Sequence, residues 1–503
     1  MSDNALQGNT LRPSSYISKF GLLLSVLGIA VGTGNIWRFP RIAASAGGEQ
    51  GAGAFLVAWV VFLFVWSIPL IVAEYALGRW TGKSVITAFF KTGGEKQTWK
   101  GAFVVLVAVA IMAYYGVITG WCFWYFGQSL VFALPQTNEA SIAGWNAFQA
   151  SYGPFLMQII VFALAGVVVR GGIRWIERLS LVLIPSLFIA MFIMLIRAVT
   201  LPGSDMGLHY LFSFQWTDLM QSRVWLEALT QNAWDTGAGW GLILSYAAFA
   251  GSRDHIVKNA FKTGIANNLM SLIAAITIFS TVFGVLGATM SQSEIVGVLK
   301  SGGPASTGLT FIWIPALFES IPGGSVLAMV FFGGLSMAAF TSFISMVQLG
   351  SRTMIELDYG PIVSLWGVLG AGFLAGSFSA ADVEVLANQD FVWGLALMVS
   401  GLFIAFLISR YGAEAFAREA INTVEDDFKA GLFWQLSMRF FIPAQAVLLL
   451  GWWFWRSITE FTPGSWMNPL VPYSLANCLM YWAAGTVVLV ILNRWMNNRV
   501  IRS

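Results

Sequence analysis

AVGTGNIWRFP, Ala30 to Pro40, interrupts an apolar stretch long enough to cross a bilayer. WDTGAGWG, Trp234 to Gly241, does the same in the second half of the chain. Glycine costs about 1 kcal/mol relative to alanine inside a helix. Runs such as Gly32-Thr33-Gly34 and Gly237-Ala238-Gly239 therefore mark places where a helix unwinds. Unwound backbone exposes amides and carbonyls that lipid cannot satisfy. It survives at membrane depth only where it is buried in protein or lines a wet cavity. Two interrupted segments, one opening each half of the chain, point to a secondary transporter with inverted repeats.

Composition agrees. The 503 residues are 57% hydrophobic and 10% charged, with a mean hydropathy of +0.73. A soluble domain carries about a quarter charged residues. The apolar runs are long and unbroken by alternation, so they read as helices rather than barrel strands. Cys122 and Cys478 both lie in apolar stretches and imply packing, not a disulfide framework. Met1 to Ser15 is polar and lacks the apolar core of a cleaved signal peptide.

About twelve spans of roughly 20 residues each are expected. The first runs from about Phe20 to Ile42, the third from Phe103 to Ala133, the sixth from Val224 to Ala250 and the seventh from Gly264 to Met290. Leu309 to Ile321 is too short and too polar to span, and reads as an extracellular helix pair. The organisation expected is a cytoplasmic tail over 1–15, five helices over 16–200 and an extracellular loop over 201–222. Five more helices follow over 223–410, then a cytoplasmic linker over 411–430 and two last helices with a tail over 431–503. Of 27 Lys plus Arg, six fall at outer ends: Arg38, Arg41, Arg197, Arg223, Lys300 and Arg456. The remaining 21 fall at the opposite ends, so the positive-inside rule puts both termini in the cytoplasm.

Several polar groups sit at membrane depth. Asn35 follows the first break, Asn267 lies early in span seven, and Thr341 and Ser342 are adjacent in span eight. Such hydroxyls ordinarily bond back to their own helix, and buried Asn often joins helices. Asp235 differs, because it is a carboxylate within the second break. A charge there costs roughly 2.5–3.5 kcal/mol on insertion scales and marks a functional site by default. A carboxylate taken out of water holds a proton unless a cation neutralises it. Asp235 could thus couple sodium binding to proton release. Glu74 lies near Arg79 and reads as structural; Arg38 and Asp390 could form an outer gate. Tyr114, Tyr115, Trp234 and Trp240 would make the pocket aromatic.

At these residues the chain resembles the neurotransmitter:sodium symporter family, over most of its length. AVGTGNIWRFP is similar to that family's first-span signature. GAGAFLVAW with IPLIVAEYALGRW resembles its second span, TQNAWDTGAGWGLILSYAAF its sixth and FTSFISMVQ its eighth. GLTFIWIPALFESIP resembles its fourth extracellular loop, and FIPAQAVLLL more weakly its eleventh span. The resemblance implies an all-α membrane protein of about twelve helices. It would have a 5+5 inverted repeat with helices one and six broken, plus two extra C-terminal helices.

It also implies two sodium ions. The first would use Ala30, Asn35, Asp235 and Asn267 with the substrate carboxylate. The second would use Gly28, Val31, Ala338, Thr341 and Ser342. The substrate carboxylate would meet the amides near Gly32 and Gly34 and the Tyr115 hydroxyl, beside Ala30. Its side chain would face Ile111, Trp234, Gly237, Trp240, Phe343 and Met346. Arg38 and Asp390 would be the outer gate. Glu356 matches the acid of the inner gate, whose arginine is not cleanly matched: Pro13 stands in its place, beside Arg12.

Departures from the family pattern refine this. Animal members bind chloride through positions matching Trp59, Gln231, Asp235, Asn267 and Ser271. Here Trp59 replaces Tyr, and Asp235 replaces Ser. A fixed carboxylate supplies the charge, so no chloride is expected, and Asp235 is the proton-coupling candidate. Gly32 stands where monoamine carriers have an acid, which argues against amines lacking a carboxylate. Trp234 replaces the usual Phe of the outer lid, Trp240 replaces a Phe beside the pocket, and Phe343 fills a position often small.

The function expected is a sodium-coupled symporter importing a neutral amino acid or related carboxylate by alternating access. It would be chloride-independent, with proton antiport through Asp235. The alternative is a non-transporting membrane sensor or channel of the same fold. An enzyme is not expected, because no nucleophile elbow, phosphate loop or metal-ligand cluster appears and His209 and His255 lie in loops. The implied partners are a small-molecule substrate and the lipid bilayer, with no nucleic acid. The second extracellular loop, Leu134 to Tyr152, has neither a cysteine pair nor a glycosylation sequon, which points to a bacterial inner membrane.

Overall fold

A computed structural model describes residues 18–48, 51–132, 134–135, 137–301 and 308–502. Among these described residues, ten helices are long and apolar enough to cross a membrane. They are span two (Gly53–Thr81), three (Glu95–Leu130), four (Gly153–Arg170), five (Ile173–Val199) and seven (Ile256–Leu286). Eight (Gly324–Glu356), nine (Pro361–Ala381), ten (Val383–Tyr411), eleven (Leu432–Phe461) and twelve (Leu475–Arg502) complete the ten. Span one is a pair, Lys19–Ala30 and Gly34–Ala46, bent by 50°. Span six is also a pair, Ser222–Asp235 and Leu242–Ala247. The fold is thus all-helical with about twelve transmembrane helices. Spans three and eight form the buried centre, packed along each other, while span twelve is the most lipid-facing.

Both interruptions follow from local chemistry. Val31 turns extended (φ −81°, ψ 90°) and ends the first half-helix, its N–H still reaching Leu27 O at 2.7 Å. The second half restarts with a wide turn, in which Phe39 N–H reaches back five residues to Gly34 O. In span six, Gly237, Gly239 and Gly241 have φ of +68°, +89° and +76°. L-residues avoid that left-handed region, so only glycine adopts this path without strain.

Span two supports the second break. Glu74 accepts the Gly239 N–H at 2.7 Å and the Leu244 N–H at 3.2 Å. The buried Ser67 donates to Asn232 Oδ1 at 3.2 Å and accepts from Thr236 Oγ1 at 3.1 Å. Glu74 is therefore structural, as its sequence context suggests, but not through Arg79. Arg79 instead donates to Asp254 O, Ala420 O and Thr423 Oγ1 at 2.6–2.8 Å, tying the linker to span two.

Three local expectations change. Spans three and seven begin earlier than hydropathy suggests, because their first turns carry charge. Asp427 in the linker accepts Val257 N–H and Lys258 N–H, both at 2.9 Å, and so caps span seven. The Leu309–Ile321 stretch holds one helix, Leu309–Glu319, rather than a pair. Its Phe311 stacks on Trp145 and meets Trp37 and Trp121 edge-on, which anchors it over the outer face. His209 lies within the short helix Ser204–Phe212 rather than in a loop.

Candidate substrate and ion site between the breaks

A cavity of about 490 Å³ lies between the two breaks and continues past Arg38 and Asp390 to Arg456 and Tyr473. Ala30, Gly32, Gly34 and Asn35 line it from span one, and Ile111 and Tyr115 from span three. Span six contributes Trp234, Asp235, Gly237 and Trp240, and span eight contributes Ser342 and Met346. Phe343 does not face the cavity. Ser342 and Met346 are one helical turn apart on the inner face, and Phe343 points about 100° away. Its ring meets Phe162 of span four at 4.9 Å, beside Gly116.

Asn35 orients a first cluster of oxygens. Its Oδ1 accepts the Gly32 N–H at 2.8 Å, so its amide nitrogen faces the other way. That nitrogen donates to Asn267 Oδ1 at 2.9 Å and Ser271 Oγ at 2.7 Å. Asn267 Nδ2 donates to Asn268 Oδ1 at 3.1 Å. The Asn267 atom facing Asn35 also lies 2.9 Å from the Ala30 carbonyl oxygen and 3.1 Å from the Asp235 carbonyl oxygen. Turning the Asn267 amide over would let it donate to both carbonyls. It would also set NH₂ against NH₂ at Asn35 and oxygen against oxygen at Asn268. The donor sequence starting at Gly32 therefore favours oxygen at this point. The Asn267 oxygen then lies against both carbonyl oxygens with no proton between, an arrangement that a hard cation relieves.

Asp235 stands beside this cluster. Gln231 Nε2 donates to its Oδ2. Its Oδ1 is buried without a hydrogen-bond partner among the described residues and lies against the bare Cα of Gly34, where a Cβ would come within 2.5 Å. Trp59 keeps its indole nitrogen buried and, among the described residues, without a partner, while its carbonyl accepts from Asn232 Nδ2 at 2.9 Å.

A second cluster joins spans one and eight. Ser342 Oγ reaches Gly28 O at 3.2 Å and Ile29 O at 3.4 Å. Thr341 Oγ1 bonds within its own helix, to Met337 O at 3.0 Å and Ala338 O at 3.1 Å. Thr341 Cβ would lie 3.2 Å from a Cβ at Gly28, so the two helices touch here. Above the first break, Tyr115 Oη lies 3.0 Å from Thr33 Oγ1 and 3.4 Å from Thr33 N.

The outer pair is not joined. Among the described residues no ion pair links Arg38 with Asp390. The Arg38 guanidinium instead lies 4.3 Å from the Trp234 ring centroid, and Asp390 Oδ1 accepts the Tyr114 hydroxyl at 3.1 Å. The cavity therefore continues past them to Arg456 and Tyr473.

A membrane protein with two glycine-broken helices, a cavity between them and oxygen clusters at their ends invites comparison with known transporters. The sodium:neurotransmitter symporter family profile matches residues 13–151 and 150–500. The chain belongs to the sodium:neurotransmitter symporter family. It is 29% identical over 438 residues to an uncharacterized sodium-dependent transporter of Methanocaldococcus jannaschii, covering 84% of this chain and 86% of that one. A sodium-dependent transporter of Bacillus subtilis is 28% identical over 476 residues, covering 87% and 97%. The crystal structure of MhsT in complex with L-phenylalanine superposes with a TM-score of 0.75 at 26% identity, covering 87% of this chain and 99% of MhsT.

At the C-terminal end of span eight, both Glu356 oxygens accept the Ser84 N–H, at 2.9 and 3.0 Å. Arg352, one turn earlier, pairs with Glu356 at 3.0 Å. Pro13 and Arg12 lie outside the described residues. From sequence, Arg41 and Arg456 read only as outer charges, and Glu227 is not singled out. All three line the vestibule, where Arg456 pairs with Glu227 at 3.4 Å and Glu460 at 2.7 Å. Glutamate in the outer half of an apolar span was the signal available.

Proposed function

We propose that this symporter imports a neutral amino acid or related carboxylate together with two sodium ions, by alternating access. The observation that carries the reading is the crowding of Ala30, Asn267 and Asp235 oxygens at the edge of the cavity between the breaks. The first ion would sit there, with Asn35, Asp235 and the substrate carboxylate. The second would lie between Gly28, Val31, Ala338, Thr341 and Ser342. The substrate would rest against Ile111, Tyr115, Trp240 and Met346, with its carboxylate toward Gly32 and Gly34. The L-phenylalanine bound by MhsT supports a large neutral side chain. Asp235, held by Gln231 with its other oxygen unpartnered among the described residues, supports transport without chloride and proton counter-movement through that carboxylate. The loop charges support cytoplasmic termini, in a cell inner membrane. The protein is a carrier on this reading, not an enzyme.

Thermal stability of the purified chain against each standard amino acid, γ-aminobutyrate, taurine and betaine, in sodium and again in potassium, tests this. Ligand at 100 times its Kd stabilises the folded state by about 2.7 kcal/mol. A shift for one chemical group of amino acids, in sodium only, is expected. No shift with any ligand in either salt would overturn the reading. Uptake that collapses when gluconate replaces chloride would overturn its chloride-independent part.

A further inference from the structure

Trp234 stands between the vestibule and the first break, and two neighbours hold it. Arg38 lies 4.3 Å from its ring centroid on one side. At the edge of its six-membered ring is Gly394 of span ten, one turn from Asp390 on the same helix face. A methyl carbon built on Gly394 would overlap Trp234 Cζ2 and Cη2 and lie 2.8 Å from Cε2. The indole edge therefore occupies the volume that any other residue at 394 would fill.

We propose that Gly394 is a specificity-determining position, whose bare backbone lets the Trp234 indole lie back against span ten and so sets the width of the path from the vestibule to the breaks. This rests on the cavity being the substrate path. The helix axis cannot yield as a flexible side chain can, so a methyl at 394 moves the ring rather than the backbone. The ring's free direction is toward the cavity, because Trp234 already lines it. Arg38 rides on the same ring and moves with it. A large ligand then meets a narrowed path, while a small one still passes. The wide indole that departs from the family's Phe is accommodated through this glycine.

The test uses the full chain. Cys122 and Cys478 are buried, so a Tyr115→Cys variant reports access to the first break when labelled by a methanethiosulfonate ammonium reagent from outside. Adding Gly394→Ala should slow labelling about tenfold or more, as expected when a packed ring is displaced. Adding Trp234→Phe as well should restore it. In sodium, Gly394→Ala alone should weaken L-phenylalanine binding about tenfold and leave L-alanine within about twofold, a discrimination typical of pocket size. Unchanged labelling, slowing that persists with Trp234→Phe, or equal loss for both amino acids would overturn the proposal. If neither amino acid binds the unaltered chain, the substrate reading fails, and the labelling rates still decide whether Gly394 sets the path.

Discussion

The Glu74 carboxylate of span two accepts the Gly239 amide proton at 2.7 Å, in the middle of the span-six break. Its other oxygen takes the Leu244 amide of the second half-helix. Neither amide has an intrahelical partner to fall back on, since the glycine path has turned away from the helix. Lipid offers no substitute. Glu74→Ala should therefore orphan two buried donors, each costing about 1–3 kcal/mol. A clear drop in the melting temperature of the detergent-purified protein is expected, with Glu74→Gln intermediate. An unchanged melting temperature in the alanine variant would show that the break supports itself.

The two breaks were legible because glycine is the one residue whose conformational cost is written in the sequence. Gly237, Gly239 and Gly241 all adopt the left-handed region that L side chains rarely enter. The partner of Glu74 was not legible, because it lies 165 residues away and pairing between distant helices leaves no local signal. The cap of span seven was hidden for the same reason, as Asp427 arrives from 170 residues away. Phe343 misled because a helical neighbour of a pocket residue faces a different way. Arg38 and Asp390 were grouped by position, yet only coordinates reveal that Arg38 rests on Trp234.

Asp235 should bind either sodium or a proton. Its Oδ1 has no hydrogen-bond partner among the described residues, so both cations compete for it. Lowering the pH raises proton occupancy and must raise the sodium concentration needed for half-maximal stabilisation. Asp235→Asn removes the competition. That variant should need at least about tenfold more sodium, the cost of a lost charge-assisted contact of about 1.5–3 kcal/mol, and its sodium response should be flat with pH. Sodium titrations followed by thermal shift at several pH values check this. An unaltered sodium midpoint and pH response in the variant would remove Asp235 from the coupling.

Ser342 and Thr341 are adjacent but differently engaged. Ser342 Oγ crosses to the span-one carbonyls, whereas Thr341 Oγ1 is bonded within its own helix. Ser342→Ala should cost only about 1 kcal/mol of stability without sodium, the net worth of a neutral hydrogen bond. Its larger effect should be on the sodium midpoint, through the loss of one ligand oxygen. Thermal unfolding with and without sodium separates the two effects. A loss of equal size in both conditions would make Ser342 a packing residue only.

Glu356 and Arg352 should not be equivalent, although they share one ion pair. Removing Arg352 leaves Glu356 with the Ser84 N–H on both oxygens. Removing Glu356 leaves the Arg352 guanidinium, among the described residues, with only its contact to the Phe249 ring at 4.9 Å, and orphans the Ser84 amide as well. Breaking a buried pair from one side costs about 3–5 kcal/mol, and less where water reaches the cation. Arg352 is 19% exposed, which places its pair below that range. Glu356→Ala should therefore lower the melting temperature more than Arg352→Ala does. The reverse order would mean that Arg352 holds the inner end through its ring contact, and that Glu356 serves only to neutralise it.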